Sequence, residues 1–137
     1  MDYIYYRMYV WYKRKKDCAK INSALFIASI RFFLYFPFMG IAINFFNNAR
    51  KGLTLILYLV YAVSILTHSL IKYTRQTDSI LEKYKHSKYN KTTHNYVIFS
   101  TLPISVIGGI LFYILVYKTV VIPYALEGKF FYLINRL

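Results

Sequence analysis

The chain has 137 residues, 58% of them hydrophobic and 17% charged, with a formal net charge of +13. Soluble domains average about half apolar and about a quarter charged, so this balance excludes an ordinary water-soluble fold. The charges are also blocked: Arg31 apart, they fall between Asp2 and Lys20, at Arg50 and Lys51, between Lys72 and Lys91, and from Lys118 onwards, which isolates three long apolar stretches.

Residues 1–20 form a basic, aromatic segment in which Tyr3, Tyr5, Tyr6, Tyr9, Trp11 and Tyr12 stand beside Lys13, Arg14, Lys15 and Lys16. Amphipathic rings next to cations favour the head-group layer of a membrane, so an interfacial helix is expected there. Ile4, Met8, Trp11 and Tyr12 would share its apolar face, with Lys15 intruding. Cys18 is the only cysteine, so no intrachain disulfide can form and a free cytosolic thiol is expected.

The first predicted span runs over 21–46, the second over 52–71 and the third over 96–117, each reaching about 30 Å or more at 1.5 Å per residue. The first is too long for the apolar core of a cleavable signal and lacks a small-residue cleavage site, so it is expected to stay as an anchor. The fold class that follows is all-α: a three-helix membrane bundle with interfacial helices at both ends of the chain. The connector from Asn47 to Lys51 is short enough to force an antiparallel hairpin, which puts the segment 1–20 and the basic loop 72–95 on one side. Twelve basic residues lie there: Arg7, Lys13, Arg14, Lys15, Lys16, Lys20, Lys72, Arg75, Lys83, Lys85, Lys88 and Lys91. Five lie opposite: Arg50, Lys51, Lys118, Lys129 and Arg136. The positive-inside rule then predicts a cytoplasmic N-terminus and an outer C-terminus. Lys13, Arg14, Lys15, Lys16, Lys83, Lys85, Lys88 and Lys91 are the expected contacts to anionic lipid head groups. Their location beside apolar spans argues for lipid over nucleic acid, although Lys72-Tyr73, Lys83-Tyr84 and Lys88-Tyr89 interleave charge and ring as single-strand binders do. In the outer tail, 118–137, Leu126, Phe130, Leu133, Ile134 and Leu137 form one apolar stripe and predict a surface helix.

Arg31 is the charged residue within a span, and a charge there costs at least ~2.5 kcal/mol on insertion scales, which marks a pathway, a pair or a site. No carboxylate shares its apolar stretch. If the first two spans pair with Phe46 level with Leu53, Arg31 lies level with His68, and a neutral imidazole would offer it a ring nitrogen. Ser64 and Thr67 surround His68, and Ser100, Thr101 and Ser105 reach a similar depth on the third span, so an intramembrane polar layer is expected. The other reading has Arg31 extending along the lipid face to cytoplasmic phosphates. Ala24 and Ala28, with Thr101, Ser105 and Gly109, supply the small-residue spacing of helix seams. Pro37 and Pro103 are expected to kink their helices and release carbonyls.

Asp78, Glu82 and His86 recur at helical spacing, but Ser79 and Glu82 read as a helix-capping box among lysines, and no metal or other cofactor is expected. Asn90-Lys91-Thr92 matches a glycosylation sequon on the face expected to be cytoplasmic, where it would stay unmodified. The opening from Tyr3 to Asp17, the loop from Leu81 to Lys91 and Leu102-Pro103 resemble small uncharacterised multi-span bacterial inner-membrane proteins. That resemblance implies a bacterial cytoplasmic membrane, and some proteins of this kind are immunity partners of toxins. No catalytic residues stand out, and a non-enzymatic protein acting on a membrane-protein partner is the reading taken. An oligomeric channel or transporter using Arg31 and His68, and a small lipid-modifying enzyme, are the alternatives.

Overall fold

The computed structural model describes residues 1–46 and 51–123, with side chains for 1–43 and 54–123. The described residues are all-α and contain no strand. The helices are α1 (Asp2–Arg14), α2 (Ala19–Phe46), α3 (Lys51–Lys85), the single turn α4 (Tyr89–Thr92) and α5 (Asn95–Val116), which runs on into a π-helical turn (Tyr117–Val121). Three of them are long and apolar enough to cross a membrane, over Ala19–Ile43, Thr54–Lys85 and Asn95–Val121. The stripe expected between Leu126 and Leu137 lies outside the described residues.

α2 is the central helix. α3 packs against one side of it and α5 against the other, and the backbones of α3 and α5 stay apart among the described residues. Ring contacts fix the directions: Phe32 meets Tyr61 and Phe36 meets Tyr58, which makes α3 antiparallel to α2. Phe26 meets Phe99 and Phe36 meets Tyr113, which makes α5 parallel to it.

α1 folds back along the first half of α2 and also touches α3 and α5. Asp2 in its first turn and Lys13 and Arg14 in its last both suit the helix dipole. It ends in a Schellman turn, with the Lys16 amide bonded to the Lys13 carbonyl at 3.2 Å and the Asp17 amide to the Tyr12 carbonyl at 3.2 Å. Lys16 supplies the left-handed residue, φ 60°. The face that packs inward centres on Tyr5 and Met8, both fully buried; of the expected face of Ile4, Met8, Trp11 and Tyr12, Met8 is buried and the other three are half-buried. Tyr5 enters a cluster with Ala24, Ile27 and Ile30 of α2 and Tyr73 and Ile80 of α3.

The segment expected as a loop from residue 72 is helical as far as Lys85. No glycine or proline interrupts it after Gly52, and the buried Ser69, Tyr73, Thr77 and Ile80 recur at helical spacing on the side facing α1. Ser79 and Glu82 therefore stand inside α3, and the capping box is not used. The end of α3 is satisfied from another source: the Asn90 side-chain amide donates to the carbonyls of Tyr84, at 2.8 Å, and Lys85, at 3.3 Å. That leaves the nitrogen of the sequon engaged in the fold.

The seam of α2 and α5 is made by backbone approach. Pro37 has no N–H, so the carbonyl of Phe33 one turn earlier loses its helical donor. Gly109 lies against that carbonyl so closely that a Cβ there would overlap its oxygen and sit 3.1 Å from its carbon. One residue before Phe33, the Phe32 carbonyl accepts a 2.7 Å hydrogen bond from the Tyr61 hydroxyl of α3. The carbonyls near the proline are thus covered by glycine and tyrosine.

Candidate functional site

Arg31 projects from α2 towards α3. Its guanidinium donates to Ser69 Oγ at 3.4 Å and to the Tyr73 hydroxyl at 3.3 Å, and its central carbon stands 5.2 Å from the Tyr73 ring centroid. Both bonds are long, so charge and ring polarisation carry much of the attraction. Tyr73 lies one turn beyond Ser69 towards the end that bears α1, so the side chain leans that way while staying bonded to the bundle.

The Tyr73 hydroxyl passes its own proton to Asp2 Oδ1 at 3.1 Å. The result is a directional chain in which a cation donates to a phenol and the phenol donates to a carboxylate. Asp2 is the counter-charge of Arg31, held one hydroxyl away from it and supplied by a helix outside the predicted spans. The register explains why the two meet. α1 and α2 form a hairpin about Lys16 and Asp17, so residues at equal depth have numbers summing to about 33 (2 + 31).

A second layer locks the first. The Tyr5 ring stacks on Tyr73 with centroids 4.7 Å apart, and its hydroxyl lies 2.9 Å from Thr77 Oγ1. Thr77 spends its proton on the Tyr73 carbonyl at 2.6 Å, so Tyr5 is the donor to Thr77. Burial pushes the Tyr5 phenol above its ordinary value of 10.0, and the bond to Thr77 pulls the other way. In hydrocarbon, such interhelical bonds between hydroxyls help to hold helices together.

The other residues of the expected polar layer are distributed differently. His68 and Ser64 line an open cleft of about 350 Å³ with Arg31, Tyr35 and Ser69. His68 is exposed, and the hydrogen bonds of Arg31 pass it by for Ser69 and Tyr73. Thr67 is exposed on the same side of α3, and Ser64 bonds back to the Val60 carbonyl at 2.7 Å. Ser100, Thr101 and Ser105 do not reach this cleft, because α5 lies on the other side of α2. Their hydroxyls bond to the carbonyls of Val97, Ile98 and Leu102 in their own helix. Thr101 and Ser105 line a separate, largely apolar cavity of about 580 Å³ between α1, α2 and α5.

Ala24 is buried in the Tyr5 and Tyr73 cluster, and Ala28 is buried in the α2 and α3 seam near Ala62 and Ile65. Lys13, Arg14, Lys15, Lys16, Lys83, Lys85, Lys88 and Lys91 are all exposed. Several lie over rings: Lys15 is 4.0 Å from the Trp11 centroid, Lys83 5.4 Å from Tyr84 and Lys88 5.6 Å from Tyr89. The interleaving of lysine and tyrosine therefore produces cation–π pairs within the chain. Asp78 and Glu82 are exposed on α3, and among the described residues no three metal-ligating side chains gather.

Sequence reasoning missed Asp2, Tyr5, Tyr73 and Thr77. The signal for Asp2 was the hairpin register, and the signal for the others was their spacing along one helical face. No family model, curated protein or solved structure matches this chain.

Proposed function

We propose that this is a non-enzymatic integral membrane protein that acts by binding a partner protein in or beside the bilayer. The observation that carries this reading is the uncovered face of α3. Val60, Val63, Ser64, Thr67, His68 and Ile71 follow one another at spacings of three and one, and all are exposed. Between them lies a groove of about 550 Å³ bordered by Ser64, Thr67 and His68. Hydroxyls and an imidazole facing hydrocarbon are unfavourable, whereas the same groups opposite another helix form interhelical hydrogen bonds. Ser64 already bonds within its own helix, and a partner helix laid along this stripe supplies partners for Thr67 and His68.

The resemblance to small bacterial inner-membrane proteins supports a bacterial cytoplasmic membrane. The gathering of α1, the far end of α3 and their basic residues at one end of the bundle supports a cytoplasmic location for that end. A toxin-immunity protein and an accessory subunit are the concrete versions. The test is photocrosslinking from Thr67 in the native membrane. One dominant foreign protein is expected, and recovery of self-contacts alone would overturn the reading.

A second reading draws on the cleft that Arg31 and His68 share. If copies pack through α3, that cleft becomes enclosed and lined by cationic and polar groups, which suits an anion or proton path in an oligomer. Reconstituted vesicles should then show a conductance that Arg31→Leu abolishes. Absence of conductance from the unmutated protein removes this reading.

A further inference from the structure

A second concentration of unbalanced charge sits where α1 meets α4 and the start of α5. A cavity of about 250 Å³ there is lined by Arg7, Arg14, Trp11, Asn90 and Asn95 among others, and no carboxylate is in its wall. Arg7 is fixed by neutral acceptors: the Tyr3 hydroxyl at 3.3 Å, the Asn90 carbonyl at 3.1 Å and Asn95 Oδ1 at 2.6 Å. Those bonds orient the guanidinium and leave its charge uncompensated. Arg14 adds a second cation at the same cavity and is exposed. Arginine pairs of this kind suit bidentate recognition of a phosphate.

Two further features specify the anion. α5 begins at this cavity with His94 as its N-cap, and no side chain caps its first turn. Unsatisfied amides at a helix start favour an anion. The ligand must therefore present an oxyanion. Asn95 is the first residue of a membrane-spanning segment, and Trp11 is a residue type favoured at the head-group level, so the oxyanion arrives on a lipid.

We infer that this pocket binds the phosphate of an anionic phospholipid, held on Arg7, Arg14 and the first turn of α5. This goes beyond partner binding and does not depend on it. It also differs from diffuse attraction of the surface lysines, since it demands particular arginines.

The full chain in detergent is mixed with phosphatidylglycerol, phosphatidylmethanol or phosphatidylcholine, and retained lipid is counted by native mass spectrometry. Phosphatidylglycerol and phosphatidylmethanol should each be retained about tenfold over phosphatidylcholine, the size of one charge-assisted contact, because both carry a net negative charge and phosphatidylcholine does not. Arg14→Gln should remove most of that preference, and Lys83→Gln should not. Arg14 makes no hydrogen bond among the described residues, so its loss leaves α1 docked, which helix content by circular dichroism checks. Equal retention of phosphatidylglycerol and phosphatidylcholine, or equal losses from Arg14→Gln and Lys83→Gln, would overturn the site. Retention of phosphatidylmethanol no better than phosphatidylcholine would overturn the phosphate contact. Displacement of the lipid by millimolar glycerol 3-phosphate would assign the pocket to a soluble phosphate instead.

Discussion

The two seams that α2 makes are built on opposite principles. Against α5 it uses backbone: a glycine lies on a carbonyl that a proline has freed. Against α3 and α1 it uses side chains: a cation donates to a phenol and the phenol to a carboxylate, with Ser69 as a second acceptor for the cation and the Tyr5 and Thr77 pair stacked beside them. In water, burial of apolar area would drive both. In hydrocarbon that drive is lost between helices, and what remains is close packing in one seam and polar bonding in the other. The first kind is intolerant of added atoms, and the second is intolerant of a missing link.

The sharpest way to break the α5 seam is to add one methyl. Gly109→Ala places a Cβ on the Phe33 carbonyl, which as backbone cannot rotate away, and a loss of about 2–3 kcal/mol is expected in reversible SDS unfolding. Gly108→Ala, one residue earlier, meets nothing within 4 Å and should stabilise by up to about 1 kcal/mol, as Gly to Ala does inside a helix. Opposite signs at adjacent positions would fix the seam on Gly109. Equal effects would mean that α5 does not approach α2 there.

The polar seam is tested by removing its middle. Tyr73→Phe keeps the ring and deletes the hydroxyl between Arg31 and Asp2, and a loss of roughly 1–3 kcal/mol is expected because both charges are left unbridged. Arg31→Met should cost less, since it removes the buried charge together with its need for a partner. The double variant should fall short of the sum by about 0.5 kcal/mol or more in the same unfolding assay. Strict additivity would show that the relay carries no coupling.

Much of the frame was legible in the sequence, because the apolar stretches and charge blocks report the solvent of each segment directly. The spans, the hairpin of α2 and α3, and the parallel course of α2 and α5 follow from lengths and connector sizes. The buried relay was not legible, for two physical reasons. The expected apolar face of residues 2–14 joined Met8 to Ile4, Trp11 and Tyr12 and left out Tyr5, whereas the helix buries Tyr5 with Met8; tyrosine is amphipathic, and its ring alone does not say which way it faces. The lysine at position 16 also concealed a turn that usually announces itself with glycine, and without that turn Asp2 could not be brought level with Arg31. His68 was reached by the same depth rule applied to the other hairpin, but equal depth does not decide which way a ring points.

Alkaline pH probes the second layer of the relay more gently. The Tyr5 phenol is raised by burial, so the unfolded chain releases this proton near 10.0 while the folded chain retains it. The contribution of Tyr5 to stability is therefore complete below that pH and is drawn down as pH rises through and beyond it. Tyr5→Phe should flatten the fall of stability between pH 9 and pH 11, measured as the difference between the two proteins so that the other tyrosines cancel. An unchanged slope would place the Tyr5 hydroxyl in contact with water.

The smallest effect concerns the turn on which the relay depends. A left-handed backbone costs a residue with a side chain roughly 1 kcal/mol, and Lys16 bears that cost at φ 60° while its exposed ammonium contacts nothing that the fold requires. Lys16→Gly relieves the strain but also loosens the unfolded chain, so a net gain of about 0.5 kcal/mol is expected. Because this turn brings α1 back along α2, the gain should appear as slower proteolysis between Arg14 and Lys20 and leave the α2 and α5 seam unchanged. The opposite result, faster cleavage in Lys16→Gly, would mean that the lysine itself pins α1, and that its strain is sustained by a contact with the head-group layer and not by the Schellman geometry alone.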